Sequence, residues 1–353
     1  MRLRIFAIAC ALVLSSRFAA AQDVRILEPR VDSLFAQYTR GTSPGVAVAI
    51  IRDGRVFFEK GYGFADIEHR VPMSPSTVFD IASVSKQFTG LAVSMLIDQG
   101  RIAVADTIRK YLPEMYAFNP PITVYNLLHH TSGLRDWPGM LTFAGWNPGD
   151  VISFEHILTF ARNQHTLNFT PGAEYTYSNT NYNLLAEIVA RVSGKSFRAF
   201  TDSAIFRPLG MMSTHFRNDL GEIFPNRSYS YTRAPDSTWR LVPNQLMAQG
   251  SSSLFSTADD LAKWLINFGT RAVGGTKAID RMLEKGKLND GKSIDYGFGV
   301  TTIAPNGVPV ITHNGGWAGY STFVAFYPKT RDGVVLLANT PLNPDVTGYT
   351  LAK

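Results

Sequence analysis

Ser83-Val84-Ser85-Lys86 sets a hydroxyl and an amine three residues apart, which on a helix brings both to one face. A serine hydroxyl is a weak nucleophile until a neighbouring base takes its proton. A lysine amine becomes such a base once burial or nearby charge lowers its pKa. A helix beginning here would also turn its positive end towards a developing oxyanion. By itself the spacing says little. A helix cap followed by a surface lysine gives the same string, and a chain of 353 residues should hold about one by chance.

Two further clusters add chemistry. Tyr177-Ser178-Asn179 follows Pro171-Gly172 and precedes an apolar helical pattern. A tyrosine beside a lysine ammonium is expected as a phenolate that shares the proton transfer, and Asn179 as a donor to a substrate amide carbonyl. His313-Asn314-Gly315-Gly316 ends a strand pattern. Gly315 and Gly316 would let substrate approach the backbone, and the Gly316 N–H would pair with that of Ser83 as an oxyanion hole. Read singly, these are a core tyrosine, a turn histidine and a glycine-rich hairpin.

Such residues need a scaffold. Residues 25–40 read as a first helix, with Ile26, Val31, Leu34, Phe35 and Tyr38 broadly on one side, ended by Pro44-Gly45. Strand patterns at Val46 to Ile51 and Val56 to Tyr62 flank Arg52-Asp53-Gly54-Arg55, and Asp-Gly between apolar runs is a strong hairpin signal. The first run is apolar on both faces, so both faces of its sheet should be covered. Near the other end, strands are expected at Tyr296 to Ile303, Val308 to His313, Ser321 to Tyr327 and Val334 to Ala338. Pro305-Asn306-Gly307 and Thr330-Arg331-Asp332-Gly333 read as turns between them.

Between about residues 84 and 290 the pattern is mainly helical. Phe88, Leu91, Ala92, Met95 and Leu96 keep the spacing of an amphipathic helix up to Gly100, and residues 181–191 and 258–268 behave similarly. Ser256 with Asp259 reads as the start of the last of these. The expected fold is α+β, an antiparallel sheet built from both chain ends and flanked by helices. The sheet lobe would take about residues 22–82 and 290–353, and a mainly helical lobe about 84–289, with a cleft between them.

Hydrophobic residues make up 45% of the chain and charged ones 18%, with no low-complexity run, which excludes a disordered protein. Arg2 and Arg4 before the apolar run Ile5 to Leu14, then Ala19-Ala20-Ala21, read as an export signal over residues 1–21, cut before Gln22. The run is too short for the ~20 residues that span a bilayer, and no later segment is apolar enough. Removing the signal takes away three arginines and lowers the formal charge from +6 to +3. No lysine or arginine cluster marks a nucleic-acid partner. The one cysteine, Cys10, lies inside the signal, so the mature chain would have no disulfide, thiol nucleophile or cysteine zinc site. A periplasmic or secreted location is expected, with no cofactor and no metal.

The order Ser-x-x-Lys, Tyr-Ser-Asn, His-x-Gly resembles the penicillin-recognising serine hydrolases. The similar branch holds class C β-lactamases, D-Ala-D-Ala carboxypeptidases, D-aminopeptidases and β-lactamase-like esterases. Phe79-Asp80-Ile81-Ala82, Leu127-Leu128-His129-His130-Thr131-Ser132-Gly133-Leu134, Pro208-Leu209-Gly210-Met211 and the segment Gly250 to Leu261 are also similar to that family. The likeness thus runs from about residue 25 to 340. It implies Ser83 as the acylated nucleophile, Lys86 and Tyr177 as general base and acid, and Asn179 as a substrate amide ligand. The Ser83 and Gly316 N–H groups become the oxyanion hole.

His313 stands where many relatives carry the lysine of a Lys-Thr-Gly triplet, which helps to hold a substrate carboxylate. A neutral histidine would do so less well, which sides with the D-aminopeptidase branch and against efficient β-lactamase activity. Lys329-Thr330-Arg331 sits in a hairpin turn beyond the motif strand and is no substitute. Relatives close with a long helix on the sheet. Here Asn343 as cap and Pro344 at the first helical position would start one that Gly348 and Lys353 leave short.

Other readings fare worse. A Ser-His-Asp hydrolase of the α/β type would need a Gly-x-Ser-x-Gly elbow, which is not expected here, and His130, a triad base in principle, lies in a segment similar to a structural loop of the family. The seven histidines are scattered apart from His129-His130 and form no metallohydrolase motif. The expectation is an exported serine hydrolase that cleaves D-amino-acid peptides or small carboxylic esters through a Ser83 acyl-enzyme. The alternatives are a penicillin-binding sensor or scaffold with slow turnover, and a true class C-like β-lactamase.

Overall fold

The structure, a computed structural model, describes residues 27–351 apart from residues 148 and 343 and the side chains of residues 344–346. The expected export signal, Cys10 and the Asn343 cap lie outside the described residues. Helix α1 occupies residues 27–34 and passes into a 3-10 turn, Ala36–Thr39. Strands β1 (Val46–Arg52) and β2 (Arg55–Tyr62) then form the expected hairpin. Its turn residues Asp53 and Gly54 both have positive φ, 51° and 73°, as a twist-matched two-residue turn requires.

The other end of the chain contributes β3 (Thr301–Ile303), β4 (Val310–Trp317), β5 (Tyr320–Tyr327) and β6 (Asp332–Ala338). The sheet runs β3-β4-β5-β6-β1-β2, antiparallel throughout. The two chain ends meet where β1 pairs with β6, from Val46 opposite Ala338 to Ile51 opposite Gly333.

Both faces are covered, as the doubly apolar first strand implies. Ala47, Ala49 and Ile51 enter a core shared with Leu261, Trp264 and Leu265 of helix α4 (Ala258–Thr270; α2 and α3 follow below). Val46 and Val48 enter a second core with Val31 and Phe35 of the N-terminal segment and Leu351 of the last helix, Pro344–Leu351. Each valine, leucine or isoleucine among them contributes roughly 1.5–3 kcal/mol when fully buried. Among the described residues no helix is long and apolar enough to cross a membrane.

Helix α2 (Lys86–Asp98) runs through the main core, and α3 (Asn179–Ser193) packs beside it. The amphipathic reading of α2 is corrected here. Ten of its thirteen residues are buried, because α3 and the helices Gly275–Leu283 and Phe197–Thr201 pack around it. Three boundaries also differ. Residues 296–300 form no strand but a turn, in which the Gly297 N–H donates to the Val300 carbonyl. Strand β4 continues past His313 to Trp317, so the glycine pair lies within it. The cap of α4 is Thr257, whose hydroxyl accepts the Asp260 N–H; Ser256 is taken up in a strand opposite Phe79.

Candidate active site

Ser83 sits in the 3-10 turn Ala82–Ser85 that leads into α2, not in the α-helix itself. Ala82 before it has φ 48°, a conformation that costs a non-glycine residue about 1–3 kcal/mol. The turn is held from two sides. Asp80 Oδ1 accepts the Ala82 N–H at 2.9 Å, and Thr322 Oγ1 of β5 donates to the Ile81 carbonyl at 2.9 Å. The other Asp80 oxygen accepts from Asn244 Nδ2, and Asn244 Oδ1 accepts from the buried Arg217 guanidinium. Strand β4 crosses so close that a Cβ on Gly315 would stand 2.6 Å from the Ile81 carbonyl oxygen and 3.0 Å from Ser83 N. Only glycine fits there. Gly316 is unlike it, since a Cβ there would meet nothing nearer than the Tyr320 carbonyl oxygen at 4.0 Å.

Lys86 is fully buried, and its Nζ has three oxygen partners: Ser83 Oγ at 3.0 Å, Asn179 Oδ1 at 2.7 Å and the Ser251 carbonyl at 2.8 Å. Burial lowers its pKa to about 7, against the pull of the Asp136 carboxylate. An amine in this setting is available as a base at neutral pH. Asn179 is used at both ends, Oδ1 by Lys86 and Nδ2 by Asp136, so a substrate would find only its second Nδ2 N–H.

Tyr177 is enclosed beside the lysine, whose Nζ stands 4.7 Å from the centre of its ring. Burial pushes its phenol well above the usual value, although the nearby Ser83 hydroxyl pulls the other way. The expected phenolate is therefore corrected: burial favours the neutral phenol, which has a proton to donate. The Tyr177 hydroxyl has no partner at bonding geometry among the described residues.

The loop from His129 to Asp136 explains why its sequence is so specific. It wraps the start of α3, where the first N–H groups lack helical partners. His130 Nδ1 accepts the Ser178 N–H at 3.2 Å and Asp136 Oδ1 the Asn179 N–H at 2.7 Å. Thr180 Oγ1 donates to the Arg135 carbonyl, and Ser132 Oγ to Asn181 Oδ1. His130 is buried, and burial keeps its imidazole neutral. It holds the Tyr-Ser-Asn segment and touches neither Ser83 nor Lys86 by hydrogen bond. Asp136 was missed in the sequence, although it follows the family-like loop by two residues.

A cleft of about 370 Å³ opens beside Tyr177, walled by Tyr175, Tyr296, Ile303, His313, Asn314 and Tyr349. His313 is buried and turned inward, contrary to the expected substrate contact. Its Nδ1 donates to the Asn314 carbonyl at 2.6 Å, which leaves Nε2 to accept from the Tyr296 hydroxyl at 3.0 Å. Both ring nitrogens are thus occupied, and burial together with Lys86 pushes the pKa down to about 4. A neutral imidazole with no free N–H offers nothing to a carboxylate.

Contrary to the expectation above, a Gly-x-Ser-x-Gly string does occur, at Gly41-Thr42-Ser43-Pro44-Gly45. It precedes strand β1 rather than a helix, and Ser43 is buried with its hydroxyl on the Tyr38 carbonyl. An elbow would turn from strand into helix and expose its serine. Ser43 is a packing residue.

The Beta-lactamase family model matches residues 31–351. Penicillin-binding protein 4* of Bacillus subtilis is 30% identical over 307 residues, covering 81% of this chain and 66% of that protein. A D-aminopeptidase of Gluconobacter oxydans is 28% identical, covering 89% of this chain and 58% of its own length. This chain therefore spans about two thirds or less of those relatives. The octameric penicillin-binding protein homologue from Pyrococcus abyssi shares the fold with a TM-score of 0.81 at 28% identity, over 94% of this chain and 77% of that one. With Ser83 and Lys86 on one turn, the Tyr177 ring beside them and the family model spanning nearly every described residue, the chain belongs to the beta-lactamase family of penicillin-recognising serine hydrolases.

Proposed function

We propose that the chain is an exported hydrolase that cleaves small carboxylic esters or D-aminoacyl amides through a Ser83 acyl-enzyme. The observation that carries this reading is the 3.0 Å approach of the buried Lys86 amine to the Ser83 hydroxyl. The amine takes the serine proton as Oγ attacks the carbonyl carbon, and the carbonyl oxygen gathers charge towards the N–H groups of Ser83 and Gly316. Collapse breaks the ester or amide bond. The proton held on Lys86 reaches the leaving group by way of the Tyr177 phenol, and water then releases the acyl group by the same route in reverse.

The walls of the cleft support a neutral substrate. No lysine or arginine is among its described lining residues, and His313 has no free donor. A carboxylate beside the scissile bond, as in penicillins and D-Ala-D-Ala peptides, would lose solvation there without a cationic partner. D-Aminopeptidase among the similar proteins supports the amide half of the reading, and the basic, then apolar, then small-residue start of the chain supports export.

Purified protein is to be assayed on p-nitrophenyl esters, D-aminoacyl anilides, a D-Ala-D-Ala peptide and a chromogenic cephalosporin, with Ser83→Ala as control. The neutral esters or anilides should turn over fastest. Faster cleavage of the cephalosporin or the D-Ala-D-Ala peptide would refute the substrate class, and a stable β-lactam adduct on Ser83 without turnover of any of the four would make the protein a sensor.

A further inference from the structure

Asp136 lies outside the motifs that supply nucleophile and base, yet the side chain of Asn179 is oriented by it. Its Oδ1 accepts the Asn179 N–H at 2.7 Å and its Oδ2 accepts from Asn179 Nδ2 at 3.0 Å. An ionised carboxylate has no proton to give, so the end of the Asn179 amide that faces it must be the NH2. The oxygen end is then turned to Lys86 Nζ, at 2.7 Å. The Ser251 carbonyl, at 2.8 Å, is an acceptor by nature. A neutral amine has two N–H bonds and one lone pair. With both N–H bonds spent on these oxygens, the lone pair is left for the third partner, Ser83 Oγ at 3.0 Å. Were the Asn179 amide turned over, its NH2 would claim the lone pair and Ser83 would face an N–H.

We infer that Asp136 is a positioning residue for proton transfer: by deciding which end of the Asn179 amide meets Lys86, it aims the lone pair of the lysine at Ser83. This rests on the reading of Ser83 and Lys86 as nucleophile and base. Burial raises the pKa of the Asp136 carboxyl, while the Asn179 N–H, Lys86, the Asn179 side chain and the Thr180 N–H pull it down; at the start of α3 the helix dipole adds to what favours the anion. The titratable groups around Lys86 are Asp136, Tyr177, Tyr182, His130 and His313. The histidines and tyrosines are held neutral by burial, and Asp136, the one carboxyl group among them, pulls the Lys86 pKa up as a carboxylate.

The test compares the Asp136→Asn variant with the exchanged pair D136N/N179D. In Asp136→Asn the new amide must offer its oxygen to the Asn179 N–H, so its NH2 faces the Asn179 side chain and turns it over. In the exchanged pair, that NH2 meets one oxygen of the new carboxylate at 179 while the other oxygen faces Lys86, so the lone pair is aimed as before. The reaction followed is labelling by a fluorophosphonate, read by mass spectrometry on Ser83. The Ser83 oxygen–phosphorus bond forms, the phosphorus–fluorine bond breaks, fluoride leaves and the serine proton passes to Lys86, so no natural substrate is needed.

Wild-type protein should be labelled at Ser83. Asp136→Asn should be labelled at least ~100-fold more slowly, the lower range for a disabled proton transfer. Its acid limb should move to lower pH, because the anion that favours the ammonium is gone. The exchanged pair should regain at least ~10-fold of the loss, with the limb above that of the wild type because the anion is now nearer. An unlabelled wild type would sink the roles of Ser83 and Lys86 themselves. A labelled wild type with Asp136→Asn equally fast, or with the exchanged pair no faster than Asp136→Asn, overturns the role of Asp136. If circular dichroism shows Asp136→Asn unfolded, the exchanged pair decides alone: labelling above about a tenth of the wild-type rate supports the inference and slower labelling overturns it.

Discussion

Gly299 lies flat against the backbone of Lys86: a Cβ built on it would stand 2.2 Å from the Lys86 carbonyl oxygen and 2.8 Å from Gln87 N. The turn before β3 is thereby wedged under the first turn of α2, and the same turn places Tyr296 against His313. Gly299 also has φ 76°, which a residue with a side chain adopts at a cost of about 1–3 kcal/mol. Gly299→Ala should therefore lower the unfolding temperature by several degrees and reduce ester hydrolysis more than a distant substitution of equal cost, because the base moves with the helix. Thermal unfolding and initial rates on the same samples check this. An unchanged melting temperature would mean that the turn yields freely.

The three groups proposed to act in catalysis make separable demands. Ser83→Ala should abolish every activity found, since Ser83 is the one hydroxyl bonded to the lysine among the described residues. Lys86→Ala and Tyr177→Phe should each cost at least ~100-fold in kcat/KM. Lys86→Arg should be as poor as alanine, because a guanidinium stays protonated and cannot take the serine proton. Steady-state rates on a p-nitrophenyl ester read all four, and a wild-type rate in any of them would refute that residue's role.

The pH profile follows from which form of Lys86 is needed. The amine must be neutral, and its pKa is lowered to about 7. kcat/KM for an uncharged ester should rise about tenfold per pH unit on the acid side and level off above roughly 7. Burial moves the Tyr177 phenol up, away from this range, and His313 is pushed down to about 4, so neither should add a step between about pH 5 and 9. A falling basic limb in that window would show the phenol titrating after all. A flat profile would remove Lys86 as the base.

What the sequence disclosed depended on whether a role is set locally. Ser83 and Lys86 are neighbours on one turn, and the strand patterns at both ends already required a shared sheet, so these were legible. Asp136 was not: its carboxylate meets Asn179 only after the loop from His129 has wrapped the start of α3. Residues 296–300 look like a strand because Tyr296, Phe298 and Val300 alternate with glycine. Gly299 serves instead to bring the turn against α2, and Gly297 lies against the Met282 carbonyl. Ser256 lost its capping role to Thr257 because pairing with Phe79 drew it into a strand, a long-range effect that local propensity does not carry.

His313 offers the sharpest test of why the cleft should prefer neutral substrates. The side chain is occupied by the Asn314 carbonyl and the Tyr296 hydroxyl, and its neutral ring leaves the wall without a cation. His313→Lys would put an ammonium on the same strand, two residues before Gly315, the glycine packed against the Ser83 turn. A hydrogen bond from a charged donor is worth roughly 1.5–3 kcal/mol, so the rate on a carboxylate-bearing cephalosporin relative to a neutral ester should rise on the order of tenfold. The absolute ester rate should fall, since a second buried cation further disfavours the ammonium that Lys86 must become during attack. Measuring both substrates on one preparation separates the two effects. A ratio that stays put would mean that the carboxylate binds elsewhere and that His313 has no part in choosing the substrate.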